Sequence, residues 1–219
     1  LVNATACQFL DYLKATGQLV GIPVQRAAYP DWWTDGFGSA AKETSIARKT
    51  HADMLSTQGF MSMALAKKIG VPDCVYTDID DVNKDLLFWD EHTFGAAESI
   101  SDPGVWNSQI QWDGKSSYVW RAQRTAKMLY ETAAGLFQDE IHRDEVPTVT
   151  LFNTLPWERD GFSTIYLDYD IIPWNSKFHI EDENGGILAV QPLNCRNEGR
   201  YYRIFAKAVP SLGYRTYRV

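Results

Sequence analysis

The apolar periodicity of this 219-residue chain changes near residue 146, and that change is the best domain boundary the sequence offers. Before it, apolar residues recur every three or four positions, the spacing that lines one face of an α-helix. After it they alternate, and turn-forming residues cluster between the alternating runs, as in half-buried strands. The expected architecture is multi-domain α and β. An antiparallel helical bundle over residues 1–145 precedes an antiparallel β-sandwich region over residues 146–219, which is the start of a larger sandwich. Charge follows the same division: acidic and basic side chains balance after residue 146, so the whole net charge of −7 lies before it.

Four helices are expected in the first part. Val2, Ala6, Phe9, Leu10 and Leu13 share one face of the first, which Gly17 closes in the left-handed conformation. Residues 18–38, rich in Pro, Gly and aromatics, read as a structured loop. The second helix takes Ser39 as N-cap, runs through Ala47, His51, Met54 and Leu55, and stops before Gly70-Val71-Pro72. Gly59 is expected to kink it, since glycine weakens a helix interior by about 1 kcal/mol relative to alanine. Asp78 reads as the N-cap of a third helix that buries Val82, Leu86 and Trp89 and ends at His92, because a carboxylate accepts from the amides of a first turn. Asp102-Pro103 signals a fourth start. Tyr118, Ala122, Thr125, Leu129, Ala133 and Leu136 carry that helix to Ile141, with Gly114 leaving its continuity with residues 103–113 open. Beyond Pro147 the strand-like segments are 148–153, 162–168, 177–180, 187–191, 201–206 and 214–219, with Asn184-Gly185 as the turn of a hairpin.

The 45% hydrophobic and 22% charged content is that of an ordinary globular chain. No apolar run reaches membrane-spanning length and no charged-then-apolar leader opens the sequence, so no membrane partner is expected. No basic stripe exists to neutralise phosphates, which argues against nucleic acid. Cys7, Cys74 and Cys195 are odd in number and far apart. They argue against a disulfide framework and leave the compartment open, with the cytoplasm favoured. A start at Leu1-Val2 without methionine reads as a processed or excised piece of something longer.

The imidazoles are His51, His92, His142 and His179, and no two stand at the i, i+4 spacing that puts two ligands on one helix face. There is no Cys-x-x-Cys pair either. A catalytic zinc needs about three protein ligands, so no complete site is encoded locally. His92 is the candidate ligand, because it interrupts carboxylates at the end of an apolar helical stretch; taken alone it reads as a hydrogen-bonded structural histidine. The loop at residues 29–39 gathers Asp31, Trp32, Trp33 and Asp35. Aromatic faces stack on sugar rings and carboxylates accept from hydroxyls, while the plain reading has the tryptophans anchoring the loop. Neither Asp31 with Asp35 nor Asp90 with Glu91 is assigned as a glycosidase carboxyl pair, and adjacent helical residues such as the latter point in different directions. No nucleophile elbow and no Gly-rich phosphate loop occur.

Two motifs in combination go further. The loop Asp31-Trp32-Trp33-Thr34-Asp35-Gly36-Phe37-Gly38-Ser39, a long helix, and then Leu86-Leu87-Phe88-Trp89-Asp90-Glu91-His92-Thr93-Phe94-Gly95 resemble the segment that follows the catalytic barrel in the α-mannosidases of glycoside hydrolase family 38. Asn153-Thr154-Leu155-Pro156-Trp157 and Val209-Pro210-Ser211-Leu212-Gly213-Tyr214 are similar to openings and strand edges of that family's β-sandwich region, so the likeness covers nearly the whole chain.

The resemblance implies retaining hydrolysis of α-mannosides at a zinc site. It implies an N-terminal α/β barrel, outside these residues, that supplies a His, an Asp, the Asp nucleophile and the acid/base. His92 corresponds to the one further metal ligand, from the helical region. Asp31, Trp32 and Trp33 correspond to the loop beside the sugar pocket. Thr93 stands where many relatives carry Asp against a sugar hydroxyl; its own hydroxyl donates and accepts but brings no charge. No catalytic residue is expected within the chain itself, and its implied partners are an α-mannoside or related glycan and the rest of its own polypeptide. The alternative is a non-catalytic carbohydrate-binding or interdomain module in which Trp32 and Trp33 hold a sugar or pack.

Overall fold

The computed structural model describes residues 2–27, 38, 40–92, 101–141 and 144–219. Helices come first: α1 (Ala6–Ala15), α2 (Ala41–Ala66), α3 (Cys74–Asp90) and α4 (Trp106–Gly135). Strands follow: β1 (Thr148–Asn153), β2 (Arg159–Asp168), β3 (Val190–Cys195), β4 (Gly199–Val209) and β5 (Gly213–Arg218). This is the mixed α and β architecture that the change of period predicts. No described helix is long and apolar enough to cross a membrane.

The helical core forms where three stripes meet. On α2, Ala47, Thr50, Met54, Thr57, Met61 and Ala64 are buried at alternating three- and four-residue steps. Thr50 and Thr57 are tolerated there because their hydroxyls donate one turn back, to the carbonyls of Ile46 at 2.8 Å and Asp53 at 2.9 Å. His51 and Leu55, expected along this helix, face solvent. On α3 the stripe is Val75, Val82, Leu86 and Trp89. It extends further back than the sequence suggests, so the helix starts at Cys74 and Asp78 lies in its second turn rather than at its cap. On α4 Val119, Ala122, Ala126, Leu129 and Ala133 are buried. That helix starts at Trp106 rather than at Asp102-Pro103, runs through Gly114 unbroken, and gives way at Gly135 to tight turns instead of reaching Ile141. Ser39, expected to cap α2, lies outside the described residues; the observed cap position, Ala40, makes no side-chain hydrogen bond.

Polar pairs show how the helices run. Asp85 meets Arg121 in a bidentate pair at 3.1 and 2.6 Å, whereas the carbonyl of Phe88, later on α3, meets Lys115, earlier on α4. Those two helices are therefore antiparallel. Lys42 lies over the Trp120 ring, and Lys67 beyond α2 reaches Glu140 beyond α4 at 2.9 Å, so α2 and α4 run the same way. α1 stands apart. Gly17 closes it at φ 70°, as its sequence predicts, and Thr5 and Gln8, which the sequence reading did not single out as caps, cap it reciprocally, yet none of its residues is buried.

β1 pairs antiparallel with β5, and β2, β4 and β3 form a second antiparallel sheet in that order. Alternation along β1 gives each of its faces a separate partner. Val149 and Leu151 pack on the sandwich core of Ile165, Leu167, Ile180, Ile204, Ala206, Val209 and Tyr217, whereas Phe152 packs on the helical core. The β1–β5 sheet is thus the middle of three layers. The Phe152 ring lies 5.1 Å from Phe60, 5.5 Å from Phe137 and 5.2 Å from Tyr214. Beside this cluster Gly59 touches the next residues of the chain: a Cβ there would stand 2.5 Å from the Thr154 carbonyl oxygen and 2.6 Å from its Cβ. The glycine expected to kink α2 is instead a point of close approach, in a helix that continues through it.

Two strand expectations are corrected. Residues 177–180 form no strand among the described residues; Ile180 is buried as a core plug, and Glu181 makes only isolated bridges to Ile187 and Arg218. Segment 187–191 contributes only its end, since β3 spans Val190–Cys195. The Asn184-Gly185 turn is present, with Gly185 at φ 78° and the Asp182 carboxylate accepting from the amides of Asn184 and Gly186. Asn153, buried at the end of β1, donates from Nδ2 to the carbonyls of Trp157, Val209 and Pro210 at 2.7, 3.1 and 3.1 Å. Its Oδ1 accepts from the Leu155 amide at 3.1 Å. The two sandwich motifs singled out in the sequence meet at this one side chain.

Two glycines in helix interiors should respond in opposite senses. At Gly114 nothing stands within 4 Å of an added Cβ, so Gly114→Ala should gain about 0.5–1 kcal/mol of stability from propensity alone. Gly59→Ala should lose about 1–3 kcal/mol, because forcing Thr154 away outweighs the same gain. Asn153→Ala should cost about 1–3 kcal/mol by leaving buried carbonyls unsatisfied. Urea denaturation of the three variants against the parent chain checks the signs.

Candidate functional site

The C-terminus of a helix exposes carbonyls without intrahelical partners and a partial negative charge, so carboxylates are disfavoured there and cations favoured. α3 nevertheless ends in Asp90-Glu91-His92. Both acids find partners on neighbouring helices. His51 Nε2 on α2 lies 2.8 Å from Asp90 Oδ2. Lys115, buried on α4, donates from Nζ to the carbonyls of Phe88 at 2.7 Å and Glu91 at 2.6 Å, and reaches Glu91 Oε2 at 3.5 Å. The end of α3 is tied to α2 on one side and to α4 on the other. Burial pushes the Lys115 ammonium below the ordinary lysine range, with Glu91 pulling it back up.

His92 follows directly. Its Nδ1 lies 2.7 Å from Glu91 Oε1. The contact sets the ring beside the carboxylate of its own chain neighbour. A carboxylate close to one ring nitrogen is a neighbour of the kind that orients metal-ligating histidines. Two-thirds of the His92 side chain is exposed, whereas the neighbouring Trp89 is fully buried and anchors the turn from which the imidazole projects.

The remaining site expectations are distributed unevenly. Asp31, Trp32, Trp33 and Thr93 lie outside the described residues, as does His142. His179 is paired at 3.5 Å with Glu181, on the sandwich side of the molecule. Among the described residues no group of three His, Cys, Asp or Glu is arranged to hold a metal ion.

Sequence reasoning missed Lys115. Its signal was present: positions 115, 119, 122, 126, 129 and 133 form one three-and-four stripe on α4, and Lys115 is the single charged residue in it. A lysine in register with a buried stripe needs acceptors at its tip. Only the antiparallel pairing of α3 and α4 reveals that those acceptors are the last carbonyls of α3.

No protein-family model matches the sequence and no curated protein matches it. Solved structures do resemble it. A protein in glycosyl hydrolase family 38 from Enterococcus faecalis matches with a TM-score of 0.50 at 12% identity over 99% of this chain. An alpha-mannosidase from Enterococcus faecalis matches with a TM-score of 0.52 at 14% identity over 96% of it. In both cases the present chain spans 28% of the length of the solved one. At such identity the likeness is one of fold, and these 219 residues carry the fold of a segment of those larger family 38 structures.

Proposed function

We propose that this chain is the post-barrel segment of a zinc-dependent, retaining α-mannosidase, with residues 1–145 as its helical domain and 146–219 as the start of its sandwich. One observation carries the reading: in a chain with the fold of a family 38 segment, the imidazole singled out from sequence stands at a helix end with a carboxylate on its Nδ1.

In this reading His92 Nε2 is one ligand of the metal, and Glu91 fixes the ring behind it. A bound zinc ion supplies Lewis acidity and a fixed positive charge toward neighbouring sugar hydroxyls. Asp31 accepts from a hydroxyl, the Trp32 and Trp33 rings offer apolar faces to the sugar, and the Thr93 hydroxyl takes an uncharged hydrogen bond beside the metal ligand. The carboxylates that break and re-form the glycosidic bond with retention belong to a part of the polypeptide outside these 219 residues, as do the other metal ligands. The substrate is an α-mannoside or a related α-linked glycan.

Replacing His92 with Ala in the intact enzyme should lower both bound zinc, measured by elemental analysis after dialysis, and turnover of an aryl α-mannoside. Unchanged metal content and rate would remove His92 from the site. The 219-residue chain by itself should not hydrolyse the same substrate, and measurable release of the aryl group would overturn the assignment of the nucleophile to another part of the polypeptide.

A further inference from the structure

Strands β1, β2 and β3 each leave one backbone edge without a ladder partner among the described residues, and the outer side of β5 meets only the Glu181 bridge at Arg218. An unpaired edge is tolerated where water reaches its amides and carbonyls, and proteins blunt such edges with prolines, bulges or charges. β3 carries Pro192 in mid-strand and loses register before Cys195. β2 is irregular between Arg159 and Gly161, and Phe162, Thr164 and Tyr166 along it are exposed. β5 carries Arg215 and Arg218. β1 has none of these devices: Thr148-Val149-Thr150-Leu151-Phe152-Asn153 contains no charge and no proline, and its register with β5 is unbroken.

β1 also differs in its surroundings. It lies in the middle layer, with Val149 and Leu151 against the sandwich core and Phe152 against the helical core, so both of its faces are covered. Val149 and Leu151 nevertheless remain half-buried, whereas Ile165, Leu167, Ile204 and Tyr217, which face the same core, are buried. With both faces covered, the opening is lateral, along the unpaired edge. The Val219 amide donates to the Pro147 carbonyl, so by alternation Val149 and Leu151 direct their backbone groups to β5. Thr148, Thr150 and Phe152 direct theirs to the free edge. Arg218, opposite Thr148, correspondingly points the other way and exchanges both of its backbone bonds with Glu181. A row of amides and carbonyls set between two packed layers is costly unless a partner meets it.

We infer that the free edge of β1 accepts a further strand, supplied by the part of the polypeptide outside these 219 residues. That origin rests on the reading of the chain as a segment of a longer enzyme, since the solved structures that share its fold are far longer. The open edge stands without it. To pair along β1 the incoming segment needs about six residues, roughly 20 Å of extended chain. It enters the same middle layer. Its side chains beside Val149 and Leu151 meet the sandwich core and are apolar, as is the one beside Phe152 on the helical side. Those beside Thr148 and Thr150 are free to be polar. β1 then becomes an interior strand, and the backbone bonds of the added strand extend the ladder without a new side-chain pocket.

The test uses the intact protein. Residue-resolved hydrogen exchange should find the outward amides of Thr148, Thr150 and Phe152 exchanging within about tenfold of the inward amides of Val149 and Leu151, because both sets lie in ladders. Outward amides that exchange more than about 100-fold faster than that inward pair overturn the inference. A photoreactive p-benzoylphenylalanine in place of Thr148 then identifies the neighbour. A cross-linked peptide from the same polypeptide but outside the 219 residues is expected; a product joining two copies, or one confined to the 219 residues, overturns the inference. Should that variant not fold, dilution of the parent protein decides. Protection kept by the monomer supports a strand from the same polypeptide, and protection lost with dissociation assigns the edge to a second copy and overturns it. Neither readout depends on hydrolysis: a protected edge in a protein inactive on α-mannosides would sink the mannosidase reading alone, and an exchanging edge in an active enzyme would sink this inference alone.

Discussion

The contact between Phe152 and the end of the helical core is the constraint on which the rest of the arrangement depends. Strand side chains alternate with a strict period of two, so placing one ring of β1 against Phe60 and Phe137 commits Val149 and Leu151 to the opposite face. A slip of one residue would send both to the helices and Phe152 into the sandwich, unfavourable on both faces at once. Gly59 enforces the depth of this contact. Because it lacks a side chain, α2 approaches the Thr154 backbone closely, and the Phe152 ring reaches Phe137 across the junction. Helices and sheets are joined by close packing rather than by a tether.

The same economy of contacts governs the end of α3. Two carboxylates at a helix C-terminus oppose the helix dipole, and each is matched by a group from a different neighbour, His51 from α2 and Lys115 from α4. The exposed His51 pair is worth little in water, on the order of 0–1 kcal/mol. Lys115 is different in kind, because it is itself buried and its ammonium donates to two backbone carbonyls at the end of α3.

The sequence was most legible where a single physical rule acts alone. The switch from helical to alternating periodicity located the helices and most of the strands, and Gly17 signalled the end of α1 because only a residue without a side chain adopts that φ readily. It was least legible where two rules compete. Asp78 has the chemistry of a cap, but burial of Val75 drew the start of α3 upstream. Residues 177–180 look like a strand, yet their role is to insert Ile180 into the sandwich without forming a ladder. Gly59 looked like a flaw in a helix because its reason lies in a residue almost a hundred positions away. His92 was singled out through its carboxylate neighbours, whereas the bonds from Lys115 to the end of α3 required knowing which way α3 and α4 run.

Asn153 has a consequence for motion as well as for stability. One amide group ties the end of β1 to the approach to β2 through Trp157 and to the exit of β4 through Val209 and Pro210. Three backbone carbonyls share its two hydrogens, one only 4 residues on and the others 56 and 57 residues away, and neither stretch can detach without disturbing the other. The ends of β1, β2 and β4 therefore behave as one cooperative unit, opening together or staying closed together, even though they belong to two different sheets.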